Sequence, residues 1–265
     1  MTSTRLSDLL PPARWSLALL GWLRGWWRAL VFTAEMLVLA LSPSSYRAAQ
    51  RPVIQRELVR ATVPLLPAFV SISALVSLVI IQIVVATASS YGLSRYALDV
   101  LVRTLVIELM PLLVALYVAV RYTMPVGEDV AEARARGQLM RQWRSGGDPA
   151  RDRLLPCVLA GVFAVGLLAA ISCVLALVLT YLSVYGFTTW AFGHYTRVVG
   201  QVFDPAVALI FALKAFFFSL AVSILPLAGV RDGGAASVHD HIGLLGRVFG
   251  LILMVEVLSL VGNYY

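Results

Sequence analysis

The stretch VPLLPAFVSISALVSLVIIQIVVATA, residues 63–88, contains no charged side chain. It is longer than the roughly 20 predominantly apolar residues with which an α-helix crosses a bilayer. Three serines, one threonine and one glutamine are its only hydrogen-bonding side chains. The stretch therefore predicts a transmembrane helix, and it decides the class of the whole fold.

The rest of the chain shares this apolar character. Its 265 residues are 60% hydrophobic and 13% charged, whereas a soluble domain usually carries about 25% charged residues. Further apolar runs predict four more spans, at 98–122, at 154–181, from 205 to near Pro226 and Gly229, and at 242–262. We therefore predict an all-α, polytopic membrane protein with five transmembrane helices.

The N-terminal segment predicts an amphipathic helix at residues 15–35. Its apolar face holds Trp15, Leu19, Trp22, Leu23, Trp26, Leu30 and Thr33, and its polar face holds Arg14, Arg24, Arg28 and Glu35. Such a helix lies in the plane of the lipid headgroups. A first span at 26–41 is the alternative, which Arg28 and Glu35 disfavour. Because arginines interrupt every apolar run before residue 30, we expect no cleavable signal peptide.

The connecting segments divide the chain further. The sequence SPSS at 42–45 is expected to end the amphipathic helix, which gives an N-terminal region at 1–50 and a five-helix membrane domain at 51–265. ASSYGLSR, residues 88–95, predicts a tight turn between the first two spans. A loop is expected after the third span, through Phe203. Asp204 and Pro205 then predict the capped start of the fourth helix.

The arginines orient these spans. With a cytoplasmic N-terminus, the inside segments contain Arg5, Arg14, Arg24, Arg28, Arg47, Arg51, Arg56, Arg60, Arg121, Arg134, Arg136, Arg141, Arg144, Arg151, Arg153 and Arg231. The outside loops contain Arg95 and Arg197. Cytoplasmic loops are the ones enriched in arginine and lysine. The net charge of +7 therefore fits a membrane topology, and we expect no nucleic-acid partner.

One polar segment interrupts the apolar chain between the second and third spans. GEDVAEARARGQLMRQWRSGGDP, residues 127–149, lies on the predicted cytoplasmic side, and its residues 127–146 predict one helix about 27 Å long. Its small and apolar side chains form one stripe of Val130, Ala133, Gly137 and Met140 and a separate pair, Leu139 and Trp143. Two separate apolar contacts favour a helix that docks on a partner over a merely solvated loop helix.

Several kinds of chemistry are excluded or unsupported. A phosphate-binding loop of the Walker A type needs a lysine after a glycine, and the only lysine, Lys214, lies inside an apolar run. If ATP drives the protein, another subunit binds it, and we expect no cofactor in this chain. Cys157 and Cys173 indicate buried thiols, and the histidine spacing in HDH at 239–241 does not favour a metal site. Because no nucleophile is paired with a base, we predict that the chain is not an enzyme.

Three ionisable residues lie within predicted spans: Glu108, Lys214 and Glu256. Each costs a few kcal/mol in a membrane unless it is paired or hydrated. Pairing of Lys214 with Glu256 or Glu108 to fix helix packing is the leading interpretation, and a role in gating or in a proton relay is the alternative. Asp99 and Arg103 predict a simple ion pair one helical turn apart.

The order of several motifs resembles a known family. ELMP at 108–111, then Arg121, then Gln138–Leu139 within the polar segment, and finally Asp148–Pro149 are similar to the motifs of the MlaE/YrbE family of MCE-associated ABC permeases. The likeness covers about residues 50–263. Met110 stands where the family motif has a glycine, and the first span carries Ser73 and Ser77 in place of family glycines.

The resemblance implies a permease that moves phospholipids or other hydrophobic molecules between envelope layers. It implies a bacterial inner-membrane complex of two permease copies or paralogues, two cytoplasmic ABC ATPases and a periplasmic MCE-domain protein. The polar segment is then the coupling helix, in which we assign contact with the ATPase to Glu128, Asp129, Gln138, Leu139 and Trp143.

A lipid pocket is predicted on the first two spans. For the pocket we predict a stripe on the first span with one residue of the second: Ile80, Val84, Thr87, Tyr91 and Leu109. Ordinary helix packing or bilayer contact is the alternative for that stripe. A proton-coupled secondary transporter using Glu108, Lys214 and Glu256 is the competing function, although the repeats and broken helices of such transporters are missing from the sequence.

Overall fold

The computed structural model describes residues 11–46, 50–231 and 238–264, without the side chains of 11–24, 94–95, 229–231, 238–242 and 263–264. These residues form eleven α-helices and no strand. The helices are α1 Pro11–Leu41, α2 Arg51–Thr62, α3 Leu66–Ser90, α4 Ser94–Leu101, α5 Met110–Val118, α6 Met124–Ala135, α7 Gln138–Arg144, α8 Leu155–Tyr185, α9 Phe192–Val202, α10 Pro205–Arg231 and α11 Val238–Tyr264.

Five helical stretches of the described chain are long and apolar enough to cross a membrane. They are Arg51–Ser90, Tyr96–Ala135, Ala150–Tyr185, Pro205–Ala228 and Gly243–Gly262. The prediction of an all-α protein with five transmembrane helices is confirmed. The first two stretches contain 40 residues each, about 60 Å of helix, which is twice the hydrocarbon thickness of a bilayer. Both therefore contain more helical residues than one membrane crossing needs.

In the first stretch a turn at residues 63–65 separates α2 from α3. Pro64 and Pro67 lie at this junction, and a proline cannot donate a helical hydrogen bond. Val63 still donates to the carbonyl of Val59 over 3.0 Å, so helical hydrogen bonding continues one residue past the end of α2. Residues 51–62, which the arginine distribution placed in an inside segment before the first span, form α2, which packs along α8.

The second stretch contains two π-helical segments, Val102–Leu109 and Ala119–Thr123. The first ends directly before Met110–Pro111, where the proline removes a backbone donor. A π-helical turn shifts the hydrogen-bond register by one residue, and such turns often occur at functional sites. Glu108 belongs to this segment.

The polar segment differs from its prediction. One continuous helix over 127–146 is wrong, because α6 ends at Ala135 and α7 begins at Gln138. Between them Gly137 has a φ of 71°, a left-handed conformation that glycine adopts at little cost. The chain therefore turns a corner, and α6 continues the second span. We call residues 124–144 the α6–α7 corner.

Two further boundaries are corrected. The predicted loop through Phe203 contains a helix, α9. Tyr195 of α9 donates a hydrogen bond to the carbonyl of Leu177 on α8 over 2.7 Å, and burial raises its pKa to about 12, with Tyr185 as the smaller cause. The hydroxyl therefore stays protonated as a donor. Pro226 lies inside α10, which continues to Arg231.

Helix α8 lies at the centre of the bundle, in contact with α2, α3, α5 and α10. Its buried side includes Ala160, Gly161 and Ala164, small residues that let neighbouring helices approach closely. Helix α1 covers the predicted residues 15–35, extends from Pro11, the first described residue, to Leu41, and packs mainly on α10. Its interfacial position and the domain division at residue 50 stay predictions, and the signal-peptide expectation falls largely on residues 1–10, outside the described part.

Candidate functional site

Three charged side chains from different helices meet inside the bundle. Lys214 of α10 contacts the carboxylate of Glu108 and lies 2.9 Å from a carboxylate oxygen of Glu256 on α11. It also donates to the carbonyl of Ile107 over 3.3 Å. The Lys214 side chain is 1% exposed, and the two glutamate side chains are 12% and 13% exposed. We call Glu108, Lys214 and Glu256 the ion triad.

The electrostatics of the ion triad follow from its composition. One ammonium group faces two carboxylates, so the charged form has a formal charge of −1. The π-helical segment supplies both Glu108 and the Ile107 carbonyl, which satisfies two of the three N–H donors of Lys214. Glu256 takes the third. The three residues predicted as intramembrane charges are thus brought together, while their functional role stays a prediction.

The predicted coupling residues are spread over the α6–α7 corner. Asp129 lies 3.6 Å from Arg60 of α2, while Glu128 and Gln138 are exposed on the surface. Leu139 is half-buried against the main core. Trp143 is 68% exposed, so the predicted pair of Leu139 and Trp143 is divided between the protein's interior and its surface.

The predicted stripe of Val130, Ala133, Gly137 and Met140 is divided in a similar way. Val130 and Ala133 of α6 are buried, whereas Met140 of α7 is 59% exposed. The left-handed turn at Gly137 separates Val130 and Ala133 from Met140. Met140 and Trp143 are therefore exposed apolar side chains on the α7 part of the corner.

A polar contact holds the corner that the sequence did not indicate. Asp152, at the start of the third span, accepts hydrogen bonds from Gln50 over 3.0 Å and from Gln142 over 3.4 Å. It thereby joins the segment before α2 to α7. Nearby, the carboxylate of Asp148 accepts the backbone N–H of Ala150 over 3.1 Å. In the sequence, the motif at Asp148–Pro149 was the one feature that indicated a role for this region.

The predicted lipid stripe is divided between helix packing and the protein surface. Ile80, Val84 and Leu109 are half-buried and pack on a cluster around Ile81 and Leu105. Thr87 and Tyr91 are exposed, Tyr91 at 77%. Part of the stripe therefore makes ordinary helix packing, and its role in lipid binding stays a prediction.

A cavity of about 650 Å³ lies elsewhere, between α1, α10 and α11. Its wall includes Trp26, Leu30 and Thr33 of the predicted amphipathic face, together with Lys214. Sequence reasoning missed this cavity because its walls come from residues almost the whole chain apart.

Other reactive groups stay apart. Cys157 and Cys173 are free and half-buried thiols, and His194 is exposed on α9. His239 and His241 lie at the start of α11, and their side chains are outside the described part. Among the described residues, no three metal-binding side chains are grouped. Asp99 and Arg103 form the predicted pair over 3.2 Å.

Comparison with known protein families identifies the family of this chain. The family model for the permease MlaE matches residues 54–243. The chain belongs to the MlaE permease family. The match of this MlaE-family permease extends from α2 into the start of α11, a narrower region than the predicted 50–263. It includes Glu108, Lys214 and the α6–α7 corner but neither α1 nor Glu256. The comparison with curated proteins gave no match.

Family membership and the five apolar helices together make the chain a multi-pass membrane permease. The family is one of transporters, and it suggests a permease of the ABC systems that transport lipids. The suspected resemblance to MlaE/YrbE permeases is therefore confirmed at the level of the family.

Proposed function

We propose that this MlaE-family chain is the permease subunit of an ABC transporter that moves phospholipids or related hydrophobic molecules across or between bacterial envelope membranes. A separate ABC ATPase binds and hydrolyses the ATP. The complex contains a second permease copy or paralogue and a periplasmic MCE-domain protein, and it lies in the inner membrane with the N-terminus of this chain in the cytoplasm.

The observation that carries this proposal is the exposure of two large apolar side chains beyond the second span. The 40-residue helical stretch Tyr96–Ala135 contains more residues than one membrane crossing needs, and α7 follows it after the turn at Gly137. Met140 and Trp143 are more than half exposed there. Tryptophan and methionine are enriched in protein–protein interfaces relative to the rest of the surface. The arginine distribution supports a cytoplasmic position for these two side chains.

The ATPase contact is therefore assigned to α7 and the exposed part of α6. Trp143 is its central aromatic residue, with Gln138 beside it on α7 and Glu128 and Asp129 on α6. Leu139 supports α7 from below, because it packs on the core. The contacts of Gln50 and Gln142 with Asp152 connect α7 to α2 and α8, so a displacement of α7 reaches the transmembrane helices directly.

Co-purification from native membranes tests the proposal. We expect an ABC ATPase to purify with the wild-type chain, and Trp143→Glu to lower its recovery by about 30-fold, since loss of a central aromatic contact costs about 2 kcal/mol or more. Trp190→Glu is the matched control. Trp190 is 91% exposed on the predicted outer side, and its substitution should leave the ATPase bound.

Two results would contradict the proposal. The first is purification of the intact complex with no ATPase. The second is lipid flux in vesicles that requires a pH gradient and no ATP, which would favour the proton-coupled transporter. Leu139→Asp is a poorer test than Trp143→Glu, because Leu139 is half-buried and the substitution would disturb the corner itself.

A further inference from the structure

The cavity between α1, α10 and α11 has an elongated shape. On α10 its wall extends from Ile210 to Leu225, which is about 22 Å of helix. On α11 it extends from Leu251 to Gly262, about 16 Å. A groove of this length covers more than half of the roughly 30 Å hydrocarbon core. Its volume of about 650 Å³ lies within the range of small-molecule sites, about 300–1,000 Å³.

The wall of the groove is almost entirely apolar. The ammonium of Lys214 is bonded to the two carboxylates of the ion triad, and the Thr33 hydroxyl donates to the Ala29 carbonyl over 2.7 Å. Ser259 adds one hydroxyl. Exposed large side chains form the rim: Leu30, Leu213, Phe217, Met254 and Leu258. The groove therefore opens sideways toward lipid.

Two arginines lie at the end of this groove near Leu225. Arg28 of α1 and Arg247 of α11 line a small recess that shares Trp26, Ala29 and Leu225 with the groove. A Cβ atom on Gly25 would lie 3.3 Å from a guanidinium nitrogen of Arg247, so this side chain rests directly on α1. Under the arginine-based topology this end faces the cytoplasm.

The combination matches the chemistry of an anionic phospholipid. A guanidinium group binds phosphate through paired N–H donors, and basic pockets between transmembrane helices on the cytoplasmic side bind anionic headgroups. We propose that one phospholipid of the cytoplasmic leaflet is held here, with its phosphate at Arg28 and Arg247 and one acyl chain in the groove. This site is separate from the predicted stripe of Ile80 to Tyr91, and its occupancy does not depend on transport.

Photolabelling tests the occupancy. The full chain is reconstituted in phosphatidylcholine vesicles that contain phosphatidylglycerol with a photoreactive diazirine in its acyl tail, without ATPase or nucleotide. We expect adducts to concentrate on the α10 and α11 peptides that line the groove, such as those with Phe217 and Met254. Excess unlabelled phosphatidylglycerol should remove these adducts but leave adducts on the exposed residues Leu75 and Val79 of α3 unchanged.

A matched pair of variants tests the groove itself. Ala29→Phe places a ring inside the groove, and we expect adducts on its lining to fall about tenfold, because the space for the chain is filled. Ala34→Phe makes the same change at an exposed position of α1 that does not line the groove, and labelling should stay unchanged. Equal labelling in the two variants would overturn the proposal.

A second pair tests the headgroup. Arg247→Gln should lower labelling by the phosphatidylglycerol probe about fivefold, since a charge-assisted phosphate contact is lost, and leave labelling by a diacylglycerol probe unchanged. Arg56→Gln removes an exposed arginine of α2 and should change neither. If both probes label the wild type equally, or if the groove yields crosslinks to a second protein chain in place of lipid, the assignment is wrong. None of these readouts requires lipid transport, so they can fail or succeed independently of the proposed function.

Discussion

At the scale of single residues, the ion triad places three ionisable side chains in the interior of the described helices, each at most 13% exposed. Charges in a low-dielectric environment are tolerated only when their partners are close and their hydrogen bonds are complete. Lys214 meets both conditions, because its three donors are taken by Glu108, Glu256 and the Ile107 carbonyl. The glutamates depend on it in turn, since removing the ammonium would leave two carboxylates facing each other.

Removal of Lys214 alone should therefore destabilise the protein strongly. We expect Lys214→Met to lower the free energy of unfolding by about 3–5 kcal/mol, the usual cost of breaking a buried ion pair from one side. The triple variant Glu108→Gln, Lys214→Met, Glu256→Gln removes all three charges and should recover most of this loss. Thermal unfolding in detergent measures both.

The exposed pair of Asp99 and Arg103 provides the control for the ion triad. Its side chains are 44% and 39% exposed, so Arg103→Met should cost less than about 1 kcal/mol. A triple variant as unstable as Lys214→Met would contradict the electrostatic explanation and indicate that the shape of the Lys214 side chain matters more than its charge.

At the scale of helices, close packing of α8 against α10 depends on one glycine. A Cβ atom at Gly161 would lie 2.5 Å from the Ser223 hydroxyl oxygen and 3.0 Å from its Cβ, and Ser223 is 1% exposed. Lipid tails are as apolar as the helix surface, so the hydrophobic effect does not drive helices together in a membrane. Helices associate instead through close packing at such small residues.

Substitution of this glycine should separate the two helices. We expect Gly161→Ala to lower stability by about 1–3 kcal/mol through overpacking, and Gly161→Ala with Ser223→Gly to recover part of it. Gly166→Ala on the same helix is the matched control, because nothing lies within 4 Å of its added Cβ; it should be neutral or slightly stabilising. Thermal unfolding compares the three, and an equal effect at the two glycines would contradict the packing argument.

The sequence predicts part of the helical arrangement but not all of it. The five spans follow from hydropathy because each apolar run exceeds the bilayer thickness. Pairing of Lys214 with the two glutamates follows from the cost of an isolated charge. The corner at Gly137 could not be predicted, since an isolated glycine within a helical pattern is often tolerated.

Features that arise from packing between distant segments were also out of reach. The π-helical segments and α2 are examples, because their conformations depend on packing against α8. The groove between α1, α10 and α11 brings Trp26 beside Leu225 and Leu251, and no local periodicity encodes that meeting. Trp26, Leu30 and Thr33 of the predicted apolar face line this groove. The sequence showed that the face is apolar but not that it packs against α10 and α11.

At the scale of the whole molecule, the arginines and the five spans together define which surfaces can meet which partners. On the predicted topology the N-terminus is cytoplasmic. Helix α7, which follows the second span, then lies inside, and the segment before α9, which follows the third span, lies outside. The proposed ATPase contact at Trp143 and the proposed phosphate site at Arg247 then share the cytoplasmic side, and Trp190 and Phe187, which are more than 90% exposed, lie on the opposite side.

Cysteine labelling in intact cells tests this topology. The background is Cys157→Ala with Cys173→Ala, since both native thiols are free and half-buried. We expect Thr189→Cys, in the exposed segment before α9, to react with a membrane-impermeant maleimide in spheroplasts. Ser145→Cys, equally exposed after α7, should react only after the membrane is opened. Labelling of Ser145→Cys in sealed spheroplasts would reverse the orientation, and with it both the ATPase contact at α7 and the cytoplasmic-leaflet origin of the bound phospholipid.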